Sequence, residues 1–193
     1  YDASAGQVCF FGQDVRKYRR KELRNQIGIV PQKAVLFAGT VRENMQWGKK
    51  DATDEEIWEA LKTAQAEEFI RAKEGGLDAN IEQGGRNLSG GQRQRLTIAR
   101  ALVKKPRVLI LDDSASALDY ATDAALRKAI RQMEGAPTVF IVSQRTSSLM
   151  SADRILVLDD GEATGYGTHE ELLKNCQTYR EIYNSQYGKK EEA

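Results

Sequence analysis

The 193-residue chain predicts an α/β fold with parallel strands, on three observations. Val108 to Leu111 is a short, wholly apolar run bounded by turn signals, the pattern of a parallel-sheet strand covered by helices on both faces. Thr138 to Val142 reads as a second buried strand, and the intervening Asp119 to Met133 has helical spacing, so strand, helix and strand follow one another as in a βαβ unit. Upstream, Ser89 stands three residues before Gln92 and opens a helix expected to run to about Lys104, before Pro106.

The other elements follow in chain order. Gln7 to Phe11 and Gln26 to Val30 read as short strands around a charged stretch, Arg16 to Arg24, with room for a helical turn or two. Its basic run, Arg16, Lys17, Arg19, Arg20 and Lys21, reads as a solvated face. From Thr40 to Ala72 the pattern is helical. Thr53 with Glu56 makes a capping box, Ile57, Ala60, Leu61 and Ala64 recur at helix spacing, and Trp58 is expected to pack there. Lys73 to Leu88 is a glycine-rich connection. Arg154 to Asp159, Asp160-Gly161 and Glu162 to Gly165 read as a hairpin, Thr168 with Glu171 caps a further helix, and a charged tail follows Gly188.

Composition narrows the function classes. With 40% hydrophobic and 30% charged residues the chain is an ordinary globular protein of one or two domains. Lysine plus arginine number 29 against 28 acidic residues, so the formal charge of +1 supplies no field for gathering nucleic acid, and nucleic acid is not an expected partner. The longest apolar runs fall far below the ~18 residues of a membrane span. Cys9, Cys176 and the single histidine, His169, supply neither a disulfide framework nor a zinc site, which fits a reducing compartment. Tyr1 in place of methionine, with no leader after it, reads as a cut end.

The chemistry concentrates around Leu88-Ser89-Gly90-Gly91-Gln92. A serine and two glycines open a helix there, where unpaired amide hydrogens and the positive dipole end can face an anion. By itself a plain serine cap after a flexible loop is an equally good reading. The string LSGGQRQRLTIARAL, Leu88 to Leu102, resembles the signature sequence and helix of ATP-binding cassette (ABC) ATPases. Val108 to Asp112 resembles their Walker B strand, Ser116-Ala117-Leu118-Asp119 their D-loop, and Val30-Pro31-Gln32 their Q-loop. Tyr1-Asp2 with Gly6 and the strand to Gly12 resembles the segment after the P-loop helix. Leu36 to Asn44 is similar to the stretch that faces the membrane domain's coupling helix in exporter-type proteins, and Thr178 to Tyr187 to the exporter carboxyl-terminal helix.

The resemblance implies a RecA-like P-loop NTPase core of ABC type from residues 1–39 and 105–193, with an inserted α-helical subdomain, 40–104, that bears the signature. It implies ATP and magnesium as cofactors. ATP would be bound by Leu88, Ser89, Gly90, Gly91, Gln92 and Asp119, and magnesium by Asp112 and Gln32. Asp113, Gln144 and Gln32 would serve hydrolysis. The partners implied are a second ABC nucleotide-binding domain, expected to form a heterodimer, and the transmembrane domain of the same transporter, at the cytoplasmic face of the cell membrane.

Departures from the family pattern refine this. No G-x-x-x-x-G-K-[ST] occurs, so the chain is expected to be truncated at its N-terminus, before or at the P-loop helix, and alone to bind ATP poorly and be inactive. Asp113 stands where an active member has glutamate, one methylene too short to polarise water well. Gln144 occupies the switch position of histidine; an amide can hydrogen-bond a phosphate but cannot become a cation or relay a proton. Gln83 aligns with an acidic residue of the loop before the signature, with Glu82 one place earlier. Together these predict a site that holds nucleotide and hydrolyses it slowly, beside an intact signature that completes a partner's site. A slow homodimer, a non-hydrolytic regulatory module and a soluble ABC-family ATPase remain open alternatives.

Overall fold

A computed structural model describes residues 3–114 and 116–187, which fall into two compact units, one ending at Phe140 and the other beginning at Ile141. Tyr1, Asp2 and the charged tail after Gly188 lie outside the described residues.

In the first unit, β1 (Cys9–Phe10) pairs antiparallel with β2 (Gln13–Asp14). The strand is shorter than expected because Phe11 and Gly12, with φ of 46° and 80°, turn the chain back at once. A 3₁₀ turn and α1 (Arg20–Asn25) carry the basic run on an exposed surface and lead into β3 (Ile27–Val30). β4 (Gly39–Thr40) then opens three helices, α2 (Val41–Gln46), α3 (Asp54–Thr63) and α4 (Glu67–Arg71). Thr53 and Glu56 form the expected capping box at α3, and Thr40 with Glu43 forms a second one at α2. Ile57, Ala60, Leu61 and Ala64 are all buried, and the Arg71 guanidinium lies 4.0 Å from the centre of the half-buried Trp58 ring. β5 (Asn80–Ile81) returns to pair with β4, then α5 (Gly90–Leu102), β6 (Val108–Asp112) and α6 (Tyr120–Arg131) follow, and β7 (Thr138–Val142) begins in this unit and ends in the second.

α5 is the centre of this unit. Leu96, Ile98, Ala99 and Leu102 are buried along it, and it packs on α2, α3 and β3. Two glycines let it approach backbone to backbone. A Cβ on Gly48 would land on the Arg100 carbonyl oxygen, and one on Gly28 would sit 2.9 Å from Pro106 Cγ and 3.0 Å from the Ala101 carbonyl oxygen.

The sheet order is β3-β6-β7, with β3 and β6 parallel and in register from Ile27 on Val108 to Val30 on Leu111. Cover on both faces is not what the structure shows. Val30, Leu109 and Leu111 are buried on the α5 side, whereas Ile29 is 60% exposed and Phe140 58% exposed. Thr138 to Val142 is accordingly not a buried strand; its residues alternate between exposed and half-buried. A run of apolar residues satisfies two covered faces equally well in sequence, and among the described residues only one is covered.

In the second unit, β8 (Ile155–Asp159) and β9 (Glu162–Gly167) make the expected hairpin, with Asp160 and Gly161 at φ 45° and 84°, as a type I′ turn requires. Thr168 and Glu171 form the capping box of α7 (His169–Asn175), and α8 (Gln177–Tyr187) follows. Ile155, Val157, Leu172, Cys176 and Tyr179 form its core. No helix among the described residues is long and apolar enough to cross a membrane.

Gly48→Ala is expected to destabilise the chain by ~1–3 kcal/mol, because the rigid partner of the new methyl is backbone rather than a side chain. Urea unfolding of the two proteins measures the difference.

Candidate functional site

Parallel strands in register bring their carboxyl ends level. Two residues past Val30 stands Gln32, and two past its partner Leu111 stands Asp113. Gln32 Nε2 donates to Asp113 Oδ2 at 3.4 Å, a long contact between residues 81 apart in sequence. Asp113 sits at φ 42°, a left-handed conformation uncommon outside glycine, and its carbonyl accepts from the Ser116 amide at 3.2 Å and hydroxyl at 2.8 Å. Asp112 is exposed at the end of β6, the side on which open α/β sheets bind ligands.

The signature segment is built by its cap. Ser89 Oγ accepts from the Gln92 amide at 3.2 Å, and Gln92 Oε1 accepts from the Ser89 amide at 3.0 Å. Leu88 is buried beneath, and Gly90 and Gly91 form the first turn of α5 with no side chain between their amides and a ligand. A Cβ on Gly91 would lie 3.2 Å from the Ala117 carbonyl oxygen, so this turn runs directly against the 116–119 segment. That segment ends in Asp119, whose carboxylate accepts from the Thr122 amide at 2.9 Å and hydroxyl at 2.7 Å and caps α6. These bonds, the backbone one first, hold the Asp119 carboxyl below its ordinary range.

Gln144 belongs to the second unit, after β7. Its carboxamide makes no hydrogen bond among the described residues. The structure thus joins Gln32 to Asp113 within one unit, sets Gly91 beside the segment that leads to Asp119, and carries Gln144 in the other.

Within the first unit a cleft of about 640 Å³ is lined by Gln32, Lys33, Gln83, Arg86, Gly90, Arg93 and Gln94 among others. It has three cations and no carboxylate in its lining. Gln94 is 2% exposed and its Nε2 has no hydrogen-bond partner among the described residues. Sequence reasoning passed over it. The available signal was a glutamine on the buried stripe of α5, in step with Thr97, Ile98 and Ala101.

Among the described residues no cluster of three histidine, cysteine or acidic side chains could cage a metal. The exposed Asp112 and the Gln32 carboxamide instead suit magnesium, which binds through one or two protein oxygens and keeps its remaining positions for water and substrate phosphates.

Residues 1–116 match the sequence family described as ABC transporter. The chain belongs to the ABC transporter family. An ABC transporter ATP-binding protein of Mycobacterium tuberculosis is 46% identical over 189 residues, which are 96% of this chain and 32% of that protein. A Bacillus subtilis protein named "Probable multidrug resistance ABC transporter ATP-binding/permease protein" is 44% identical over 186 residues, again 96% of this chain and 32% of that protein. The structure of a bacterial Atm1-family ABC exporter with ATP bound superposes with a TM-score of 0.91 and 36% identity, covering 97% of this chain and 33% of that one. The fold is therefore that of the ABC nucleotide-binding domain, and the chain spans about a third of the length of the curated relatives it matches.

The lowered Asp119 pKa sets a pH dependence for this ABC domain. The ionised carboxylate is favoured by folding, so its contribution is complete above the unfolded value of about 4 and is lost as pH falls through the lower folded value. Asp119→Ala is expected to lower the urea midpoint at pH 6, with the gap to the parent closing as the pH is taken below ~4.

Proposed function

We propose that the chain is the ATP-binding domain of an ABC exporter, coupling ATP binding and hydrolysis at the cytoplasmic face of a membrane to movement of transmembrane helices. In this reading its own Walker B site is the slow member of an unequal pair, while its signature completes the faster site on a second nucleotide-binding domain. The observation that carries it is the contrast between a fully capped signature turn and the Asp113 carboxylate, which meets Gln32 only at 3.4 Å.

The chemistry assigned is in-line attack of water on the γ-phosphate, assisted mainly by positioning and charge. Gln32 orients the water, and Asp113 is the proton acceptor, placed short by one methylene. A misplacement of ~1 Å costs on the order of 100-fold in rate. The Gln144 amide donates to a phosphate oxygen and moves no proton. Asp112 and Gln32 would hold magnesium, which neutralises phosphate charge when bound. On the partner's nucleotide, the Gly90 and Gly91 amides and the Ser89 hydroxyl face the γ-phosphate from the positive end of α5.

Docking to a transmembrane domain is supported by the stretch after Gln32. The Phe37 and Trp47 rings meet with centres 4.8 Å apart and planes tilted by 33°, and Trp47 is 69% exposed, an apolar platform left open to solvent.

Two experiments on the assembled transporter test the reading. Asp113→Glu combined with Gln144→His should raise hydrolysis at this chain's site by at least about tenfold, the scale set by restoring carboxylate reach; a flat rate removes the account of both positions. Gly90→Asp puts a carboxylate where the γ-phosphate approaches and should abolish turnover at the opposite site; undiminished turnover there defeats the head-to-tail pairing.

A further inference from the structure

α8 is tied to the loop that carries Gln144 through one side chain. Gln186 Oε1 accepts from the Thr146 amide and from the Thr146 hydroxyl, both at 2.9 Å, and Gln186 Nε2 donates to the Gln144 carbonyl at 2.7 Å. A single carboxamide thereby uses its acceptor on one residue of the loop and its donor on another. Thr146 is 1% exposed, so both of its donors are shielded where they meet the shared oxygen, although Gln186 itself is exposed. The arrangement fixes the backbone at 144 and 146 while leaving the Gln144 side chain uncommitted.

The clamp is itself anchored elsewhere. Tyr179, seven residues earlier and therefore on the same face of α8, is buried in the core made by the β8–β9 hairpin and α7. Arg180 Nη1 donates to the Leu173 and Lys174 carbonyls at 3.3 and 2.7 Å, tying the start of α8 to the end of α7. The register of α8 on the hairpin, not the loop's own sequence, determines where Gln186 presents its amide.

We propose that Gln186 is a positioning residue, holding the 143–146 loop in the conformation from which the Gln144 carboxamide engages the γ-phosphate. This rests on the reading of Gln144 given above. The role needs a donor and an acceptor at one length. Leucine supplies neither, and glutamate keeps the acceptor for Thr146 but sets a carboxylate against the Gln144 carbonyl.

The test uses the full transporter with Gln144→Ala, Gln186→Leu, Gln186→Glu and the Gln144→Ala, Gln186→Leu pair. It reads two quantities: amide exchange at Thr146, and the preference of this chain's site for ATP over ADP, which a purely structural role of α8 leaves unchanged. Gln186→Leu is expected to speed Thr146 exchange about tenfold, as for a buried donor stripped of its acceptor. It should also lower the ATP preference by the same factor as Gln144→Ala and add nothing to that variant in the pair. Gln186→Glu should fold as the parent, restore Thr146 protection and recover the preference only in part. Unchanged Thr146 exchange in Gln186→Leu, failure of Gln186→Glu to restore it, or additive loss in the pair overturns the proposal alone. A Gln144→Ala variant with parental preference overturns the reading of Gln144, and the proposal with it.

Discussion

The parallel pairing of β3 with β6 governs which parts of this chain can act together. Parallel strands are joined by long crossovers, so their alignment is a tertiary outcome rather than a local one. Here the alignment is secured from one side by α5, which lies close enough to β3 that a Cβ at position 28 would sit 3.0 Å from the Ala101 carbonyl oxygen. A one-residue slip of β3 on β6 would turn Val30 toward the open face and separate Gln32 from Asp113. The site and the core therefore share one determinant.

That dependence explains what was legible in the sequence. Features written within four residues of one another were readable. They include the Thr53–Glu56, Ser89–Gln92 and Thr168–Glu171 boxes, the Asp160-Gly161 turn and the buried stripe of α3. Features that depend on what stands opposite were not. The apolar runs of β6 and β7 cannot say whether a second layer covers them, and Phe140 is left facing solvent. Phe11 carries no turn signal of its own, although with Gly12 it ends β1 early.

The candidate site divides the same way. Residue types and order were visible for Gln32, Asp112, Asp113, the 88–92 segment, Asp119 and Gln144. The 3.4 Å contact, the approach of Gly91 to Ala117 and the unpartnered Nε2 of Gln94 arise from packing between distant stretches. Gln186 was the hardest to see, since a glutamine near the end of an aromatic-rich helix has no local pattern to distinguish it from surface.

The four capping boxes among the described residues are not electrically alike. At α2, α3 and α7 the reciprocal residue is Glu43, Glu56 or Glu171, an anion that offsets the partial positive charge of the helix start. At α5 it is Gln92, and the first turn holds no acidic residue. The neutral amide closes the same ring of hydrogen bonds without discharging the dipole. One helix start is thus stabilised mechanically while its electrostatic appetite for an anion is left unsated, and a Gln92→Glu exchange would fill that vacancy from within.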